Sequence, residues 1–270
     1  MEKSIIKIVN MSFKYKKEGY LFRNFNLEIK EGSFTTIIGK NGSGKSTLAK
    51  ILICLYKAEG YIAIDGYLLN DFYMKKIRRE FSVCFDNADN HFIGETVKDD
   101  LAFTLENLEY SKKEMTSSIN MIAKKFKLED ILELSPDKLT NSEKEKVMIA
   151  SALIHKPKIL LLDESIYKLN ASDKKLIFKV LKEYQKEYKL TIILITHDLE
   201  DTLLSDNILV LDKGKIVMYD TKEKIYQDEK LEKLGFNLPF IVKLSHNLML
   251  YDLLDKVYFD SGEVMDKLWP

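Results

Sequence analysis

An excess of charge of either sign is missing from this chain: 42 Lys and Arg residues are matched by 42 Asp and Glu. No global field therefore points to nucleic acid or to an anionic membrane, which leaves room only for local basic patches. Cysteine is scarce as well. Cys54 and Cys84 both lie in apolar stretches and read as reduced core thiols of a cytosolic protein, not as a disulfide framework. With four prolines in all, linkers are not proline-rich, and no low-complexity tract or internal repeat appears. No N-terminal segment resembles a signal peptide, and no apolar run approaches the roughly 18–20 residues that span a bilayer. The chain is expected to be soluble, yet able to dock onto a membrane protein. Its 270 residues and 46% hydrophobic content suit one large domain, or a domain with an appendage.

What is present is a phosphate-binding loop. Residues Gly39-Lys40-Asn41-Gly42-Ser43-Gly44-Lys45-Ser46-Thr47 fit G-x-x-x-x-G-K-[ST] between an apolar, β-branched strand (33–38) and a helical stretch (46–56). Its glycines let backbone N–H groups turn toward a polyphosphate, and the new helix adds its positive dipole end. Lys45 is placed to reach the β- and γ-phosphates, and the Ser46 hydroxyl to ligate Mg²⁺. A glycine-rich turn without a ligand is the alternative, and the flanking strand and helix disfavour it.

Around the loop, residues 5–9, 25–29, 34–38 and 61–64 read as strands, with turns at Glu31-Gly32 and Asp65-Gly66. The pattern is helical from about 91 to 154, with Ile119, Ile122, Ala123 and Phe126 on one face. Buried strands at 159–162 and 191–195 flank an amphipathic helix over 173–188 (Leu176, Val180, Leu181, Tyr184), and a hairpin over 208–219 closes the block. Strands alternating with helices favour a parallel α/β core. The tail has its own apolar content. After Gly235 a helix is expected with Phe240, Ile241, Leu244 and Leu248 on one face, then a short amphipathic turn with Val264, Met265 and Leu268.

Three further features carry chemistry. The strand at 159–162 runs into Asp163 and Glu164; an acid at such a strand end holds Mg²⁺, and a second beside it serves as general base on the attacking water. The strand at 191–195 leads to His197, suited to donating to the γ-phosphate and positioning the water. Upstream, Tyr15 is a candidate to stack on adenine, for about 1–3 kcal/mol. A core aromatic is the other reading of that residue.

These residues, in this order, resemble the ATPase subunit of ATP-binding-cassette (ABC) transporters. The stretch Phe81-Ser82-Val83-Cys84-Phe85-Asp86 through Gly94-Glu95-Thr96-Val97-Lys98-Asp99-Asp100 to Leu105-Glu106-Asn107 is similar to the energy-coupling-factor (ECF) branch, importers of vitamins or transition-metal ions. The resemblance covers about residues 3–250. It implies an α/β phosphate-loop ABC ATPase domain (1–222) with an antiparallel β subdomain, a helical subdomain (about 91–154) and a C-terminal helical extension (223–270) that serves dimerisation or docks on its own domain. It further implies ATP and Mg²⁺ as ligands, a second ABC ATPase subunit, a transmembrane coupling protein received near residues 86–107, a separate substrate-binding membrane subunit, no nucleic acid, and a place at the cytoplasmic face of the membrane. Composition alone implies none of this.

Departures from the family pattern are concentrated. The signature that completes a partner's ATP site, usually L-S-G-G-Q, reads Leu139-Thr140-Asn141-Ser142-Glu143. Thr140 and Glu143 still make a capping box, but side chains stand where backbone must approach the γ-phosphate. A carboxylate about 6 Å from a phosphate costs roughly 3 kcal/mol at an effective dielectric near 20, and a lost charge-assisted hydrogen bond about 1.5–3 kcal/mol. Together they slow such a site by roughly two to three orders of magnitude. Asp86 stands where the family carries a glutamine that touches Mg²⁺, and is a third metal-site candidate. Asn170 replaces an aspartate that usually communicates across the dimer. The expectation is a heterodimer with a normal-signature partner. A regulatory subunit with little turnover is the alternative, followed by a non-transport ABC ATPase. That last kind usually carries a coiled-coil insertion or two cassettes, neither of which the chain has.

Overall fold

In a computed structural model of the chain, residues 3–16, 19–86 and 91–269 are described. Among them a four-stranded sheet and a six-stranded sheet share one apolar core. The N-terminal strands β1 (Ser4–Lys14) and β2 (Tyr20–Lys30) are longer than their apolar alternation suggested. They pair antiparallel with register shifts between Ile8 and Met11, where Asn10 takes a positive φ of 52°, a bulge that lets the ladder resume. Strand β3 (Phe34–Ile38) is buried on both faces, as expected of a parallel strand covered on each side.

Helix α1 (Lys45–Leu52) is shorter than the stretch to residue 56 predicted from sequence. Its end is set by Cys54, which has a φ of 62°, while the Leu55 and Tyr56 N–H groups turn back onto Lys50 O at 2.8 and 3.2 Å, a left-handed helix stop. Strands β4 (Glu59–Ile64) and β5 (Tyr67–Leu68) complete the antiparallel sheet, in the order β2-β1-β4-β5. Helix α2 (Met74–Glu80) then leads to β6 (Phe81–Cys84).

The helical section consists of α3 (Val97–Asn107), α4 (Lys112–Phe126) and α5 (Asn141–Leu153). Each starts at a capping box: Thr96 with Asp99, Ser111 with Glu114, Thr140 with Glu143. Ile119, Ile122, Ala123 and Phe126 face the core as their spacing predicted. Strand β7 (Ile159–Asp163), helix α6 (Ala171–Tyr188), strand β8 (Thr191–Ile195) and the hairpin β9 (Asn207–Asp212) and β10 (Lys215–Thr221) follow. The larger sheet runs β10-β9-β3-β8-β7-β6, parallel except for the β9–β10 pair. Ile195 is level with Ile37 on one side and Asp163 on the other. The carboxyl ends of β3, β7 and β8 therefore open at one edge, where ligands gather in such sheets.

The tail forms α7 (Lys222–Gln227), α8 (Lys230–Lys233), α9 (Phe240–Met249) and α10 (Ser261–Leu268). Its inner face packs on its own domain: Ile225, Tyr226, Leu231, Val242 and Val257 join Ile38, Ile208 and Val210 in one cluster. The predicted face of α9 is corrected at one end. Phe240 is 73% exposed, and Val242 and Ser245 are buried instead. Met265 likewise points outward, while Val264 is buried. Among the described residues no helix is long and apolar enough to cross a membrane.

Candidate functional site

The phosphate loop leaves β3 through Gly39, where a Cβ would collide with Leu211 O and come within 2.5 Å of Ser43 Oγ. Gly44, at φ 109°, sits against the Phe22 ring. Only glycine holds this tight path, which brings Lys45 and Ser46 to the start of α1. Lys45 Nζ donates to Gly39 O at 2.7 Å and to Lys40 O at 3.5 Å, so the ammonium lies across the loop's own mouth. Burial lowers its pKa, against the pull of Glu164 and Asp163, which raise it. Asn41 is exposed beside the left-handed Gly42, Ser43 is buried with its hydroxyl unpartnered, and Thr47 is buried on α1.

Ser46 Oγ donates to Asp163 Oδ1 at 3.3 Å, joining the loop to the end of β7. Burial raises the Asp163 carboxyl, Ser46 lowers it by its hydrogen bond, and Glu164 raises it further. A hydroxyl and a carboxylate are hard oxygen donors, and Mg²⁺ is ordinarily held by one or two such groups together with water and phosphate oxygens. The pair fits that ion. Among the described residues no group of three or more His, Cys, Asp and Glu is arranged to hold a metal. Asp86 lies two residues past the end of β6, the strand that pairs with β7. It is exposed, and its backbone carbonyl accepts from Lys168 Nζ at 3.4 Å. Residues 87–90 of the stretch similar to the ECF branch lie outside the described residues.

Glu164 takes a positive φ of 54°, with its N–H on Ile195 O at 3.0 Å. A left-handed glutamate immediately after a strand is strained backbone held by its neighbours. It bends the chain so that Glu164 Oε2 lies 3.2 Å from His197 Nδ1, half-exposed at the end of β8. Tyr15 follows β1 and is anchored from three sides. Its hydroxyl is 2.7 Å from Thr47 Oγ1, and its ring meets Phe13 and Tyr56 edge-on.

The signature position differs from expectation in how its side chains point. Ser142 is buried; its hydroxyl donates to Asp173 Oδ2 at 2.6 Å and accepts from Asn170 N and Nδ2 at 3.2 and 3.1 Å. Glu143 turns back, accepting from Thr140 N and Oγ1 at 2.8 and 2.7 Å. Only Asn141 of the three is exposed. Asn170 caps α6, accepting from Asp173 N at 2.9 Å.

Sequence inspection overlooked several neighbours. The Tyr167 ring lies 5.2 Å from that of His197. Lys174 pairs with Asp198 and Asp201 beside it. Glu145 is 1% exposed, with Oε2 accepting from Lys168 N at 3.1 Å. No short-range spacing marks these contacts, since their partners are joined only through the sheet.

A cavity of about 250 Å³ opens between β6, α3 and α5, lined by Ser82, His91, Asp100, Phe103, Met148 and His155 among others.

Comparison with known proteins places the chain in context. The family described as "ABC transporter" matches residues 22–167. An energy-coupling factor transporter ATP-binding protein, EcfA, of Pediococcus pentosaceus is 39% identical, covering 93% of this chain and 89% of its own. Its counterpart EcfA1 of Ligilactobacillus salivarius is 38% identical over 98% and 95%. Among solved structures, cbiO1 of Clostridium perfringens, part of the transporter complex cbiONQ, superposes with a TM-score of 0.78 at 28% identity, over 91% of this chain and all of that one. A dimeric ATP-binding cassette with ADP and Pi bound gives 0.72 at 29% identity, over 80% and 98%.

Proposed function

This chain belongs to the ABC transporter family, among the ATP-binding proteins of energy-coupling factor transporters, and from that premise we propose that it drives an importer as one half of an unequal ATPase pair. It is an ATPase coupled to transport; the residue roles, the partners and the inequality are the proposal. The observation that carries it is the convergence of Lys45, Ser46, Asp163, Glu164 and His197 from three adjacent strand ends, closed by the Glu164–His197 contact of 3.2 Å.

In this reading the loop N–H groups and Lys45 bind the ATP phosphates, Lys45 exchanging its bond to Gly39 O for a phosphate oxygen. Tyr15 packs on the adenine. Ser46 and Asp163 would hold Mg²⁺, which would offset phosphate charge when bound. Glu164 takes a proton from the attacking water as the water oxygen bonds to the γ-phosphorus and the bridging bond to ADP breaks. His197, oriented by Glu164, donates to the γ-phosphate and holds the water in line. Closure of the pair on ATP and reopening after hydrolysis move a transmembrane coupling protein seated near the cavity between β6, α3 and α5. A separate membrane subunit selects the cargo, a vitamin or a transition-metal ion. The chain sits at the cytoplasmic face of the membrane and has no nucleic-acid partner. The partner ATPase carries the normal signature, because Asn141 and the inward-turned Ser142 leave the start of α5 a poor phosphate ligand.

ATPase turnover of the chain alone and of the complex with its native partners tests this. Activity is expected only in the complex, and Glu164→Gln is expected to lower kcat by about 10²–10⁴-fold. Activity that survives Glu164→Gln favours a second reading, a regulatory subunit, to which Asp86 in place of the family's glutamine and the altered signature also incline.

A further inference from the structure

Two half-buried polar clusters meet at the start of α6, and consecutive residues feed them. Asp173 accepts from Ser142 Oγ at 2.6 Å and from Asn170 Nδ2 at 2.8 Å, and pairs with Lys146 Nζ at 3.1 Å. Ser142 and Lys146 are both buried on α5, so this cluster grips the first two turns of the helix that Thr140 caps. Lys174, the next residue, extends Nζ to Asp198 Oδ2 at 3.3 Å and more closely to Asp201 Oδ1. Asp201, 3% exposed, accepts from Thr196 Oγ1 at 2.9 Å, and that hydroxyl accepts from Asp198 N at 3.0 Å. Thr196 and Asp198 are the two residues that flank His197. Burial pulls the Lys174 pKa down, but Asp201 and Asp198 outweigh it, so the ammonium stays charged.

We infer that Asp173 and Lys174 form a positioning bridge, fixing the start of α5 on one side and the turn that carries His197 on the other. Neither is a catalytic residue. The two residues share one helical turn, capped by Asn170 and closed by the Lys174 N bond to Asn170 O at 2.8 Å, so neither moves without the other. Each is multiply bonded to buried partners, Ser142 and Lys146 on one side and Asp201 on the other, and charges tied to buried groups hold a defined geometry where exposed ones exchange partners with water. A displacement of the start of α5, the surface lent to a partner's nucleotide, therefore reaches His197 of the chain's own site. The signature departure Ser142 and the Asn170 departure, far apart in sequence, are bonded members of the same device. The inference rests on the roles proposed above for His197 and for the start of α5.

The test uses NMR of the full chain with isotope-labelled histidine. There are four histidines, and His197→Ala identifies the relevant signal. Asp173→Asn and Lys174→Gln are each expected to displace the His197 signals while those of His246 stay fixed, with Lys174→Arg returning them toward wild type. Ser142→Ala, which removes a hydroxyl from the Asp173 cluster, carries the same expectation where Asp173→Asn impairs folding. In the complex with native partners, Lys174→Gln should lower kcat about tenfold with KM changed by less than about twofold, and should cost nothing further in a His197→Ala background. His197 signals unmoved by both Asp173→Asn and Ser142→Ala, or kinetic losses that multiply, would overturn the bridge. A complex whose turnover ignores Glu164→Gln would sink the functional reading instead, and the NMR outcome would still decide the bridge.

Discussion

Glu145 shows how one buried carboxyl makes this fold depend on pH. It is 1% exposed, with Oε1 unpartnered, and burial pushes its pKa up to about 7 from an ordinary 4.5. The Lys168 N–H and charge oppose the rise, Asp86 adds to it, and the Cys84 thiol lies close enough to be raised by Glu145 in turn. Between the ordinary value and 7 the folded chain keeps a proton that the unfolded chain has released. Stability contributed by this group is therefore complete below pH 4.5 and lost as pH rises toward 7, by up to about 3 kcal/mol. Glu145→Gln should thus gain stability over wild type progressively between about pH 5 and 8 in urea titrations, and a pH-independent difference would sink the assignment. Tyr15 poses a second residue-scale test. Tyr15→Ala should weaken nucleotide binding by about 1–3 kcal/mol if its ring packs on adenine. Tyr15→Phe, which keeps the ring and loses only the bond to Thr47, should bind nearly as well. Equal losses in a calorimetric titration would assign the residue to the Phe13–Tyr56 cluster alone.

At the scale of the element, α5 decides how much the altered signature costs. Its first turn is stabilised by the Thr140–Glu143 box and by the Asp173 cluster, so the Glu143 carboxylate faces its own helix N-terminus, where negative charge is favourable. Thr140→Ala removes the cap and should lower stability by about 0.5–2 kcal/mol, read as a drop in thermal midpoint. Of the three departures, Asn141 alone is solvent-exposed. Asn141→Gly should therefore raise turnover of the complex by about tenfold, a gain of about 1.4 kcal/mol in transition-state binding. Ser142→Gly, which dismantles a buried cluster, should not. If Ser142→Gly were the more active variant, the inward hydroxyl would not be what matters at this position.

For the whole molecule, the tail is part of the domain's core on one side and free on the other. Leu231, Leu238, Ile241, Val242 and Val257 cover Ile38, Ile208 and Val210 at the edge of the phosphate-loop strand, each contributing roughly 1.5–3 kcal/mol by burial. Removing residues 229–270 should leave that edge bare and give a chain that aggregates or melts far below wild type in a thermal scan. A stable, soluble truncation would mean that this contact does not support the domain. Its outer surface carries Phe240, Leu250, Tyr251 and Trp269, each more than 70% exposed. An apolar surface of this kind fits a dimerisation role for the extension, which we propose in addition to its docking on the chain itself.

The sequence by itself determined the local chemistry. Spacing within nine residues is enough for a phosphate loop, because backbone path and side-chain order are both local there. Apolar runs likewise marked β3, β7 and β8 and the acids and histidine at their ends, since strands covered on both faces leave little room for polar residues. Only the tertiary structure decided which ends meet. Parallel strands adjacent in the sheet are distant in the chain, so the Glu164–His197 contact, the Lys174–Asp198 and Lys174–Asp201 pairs and the Ser142–Asn170–Asp173 cluster follow from strand order and helix docking. The same holds for the direction of a side chain. Helical spacing grouped Phe240 with Ile241, and packing against Ile208 and Val210 turned Val242 inward and left Phe240 in solvent.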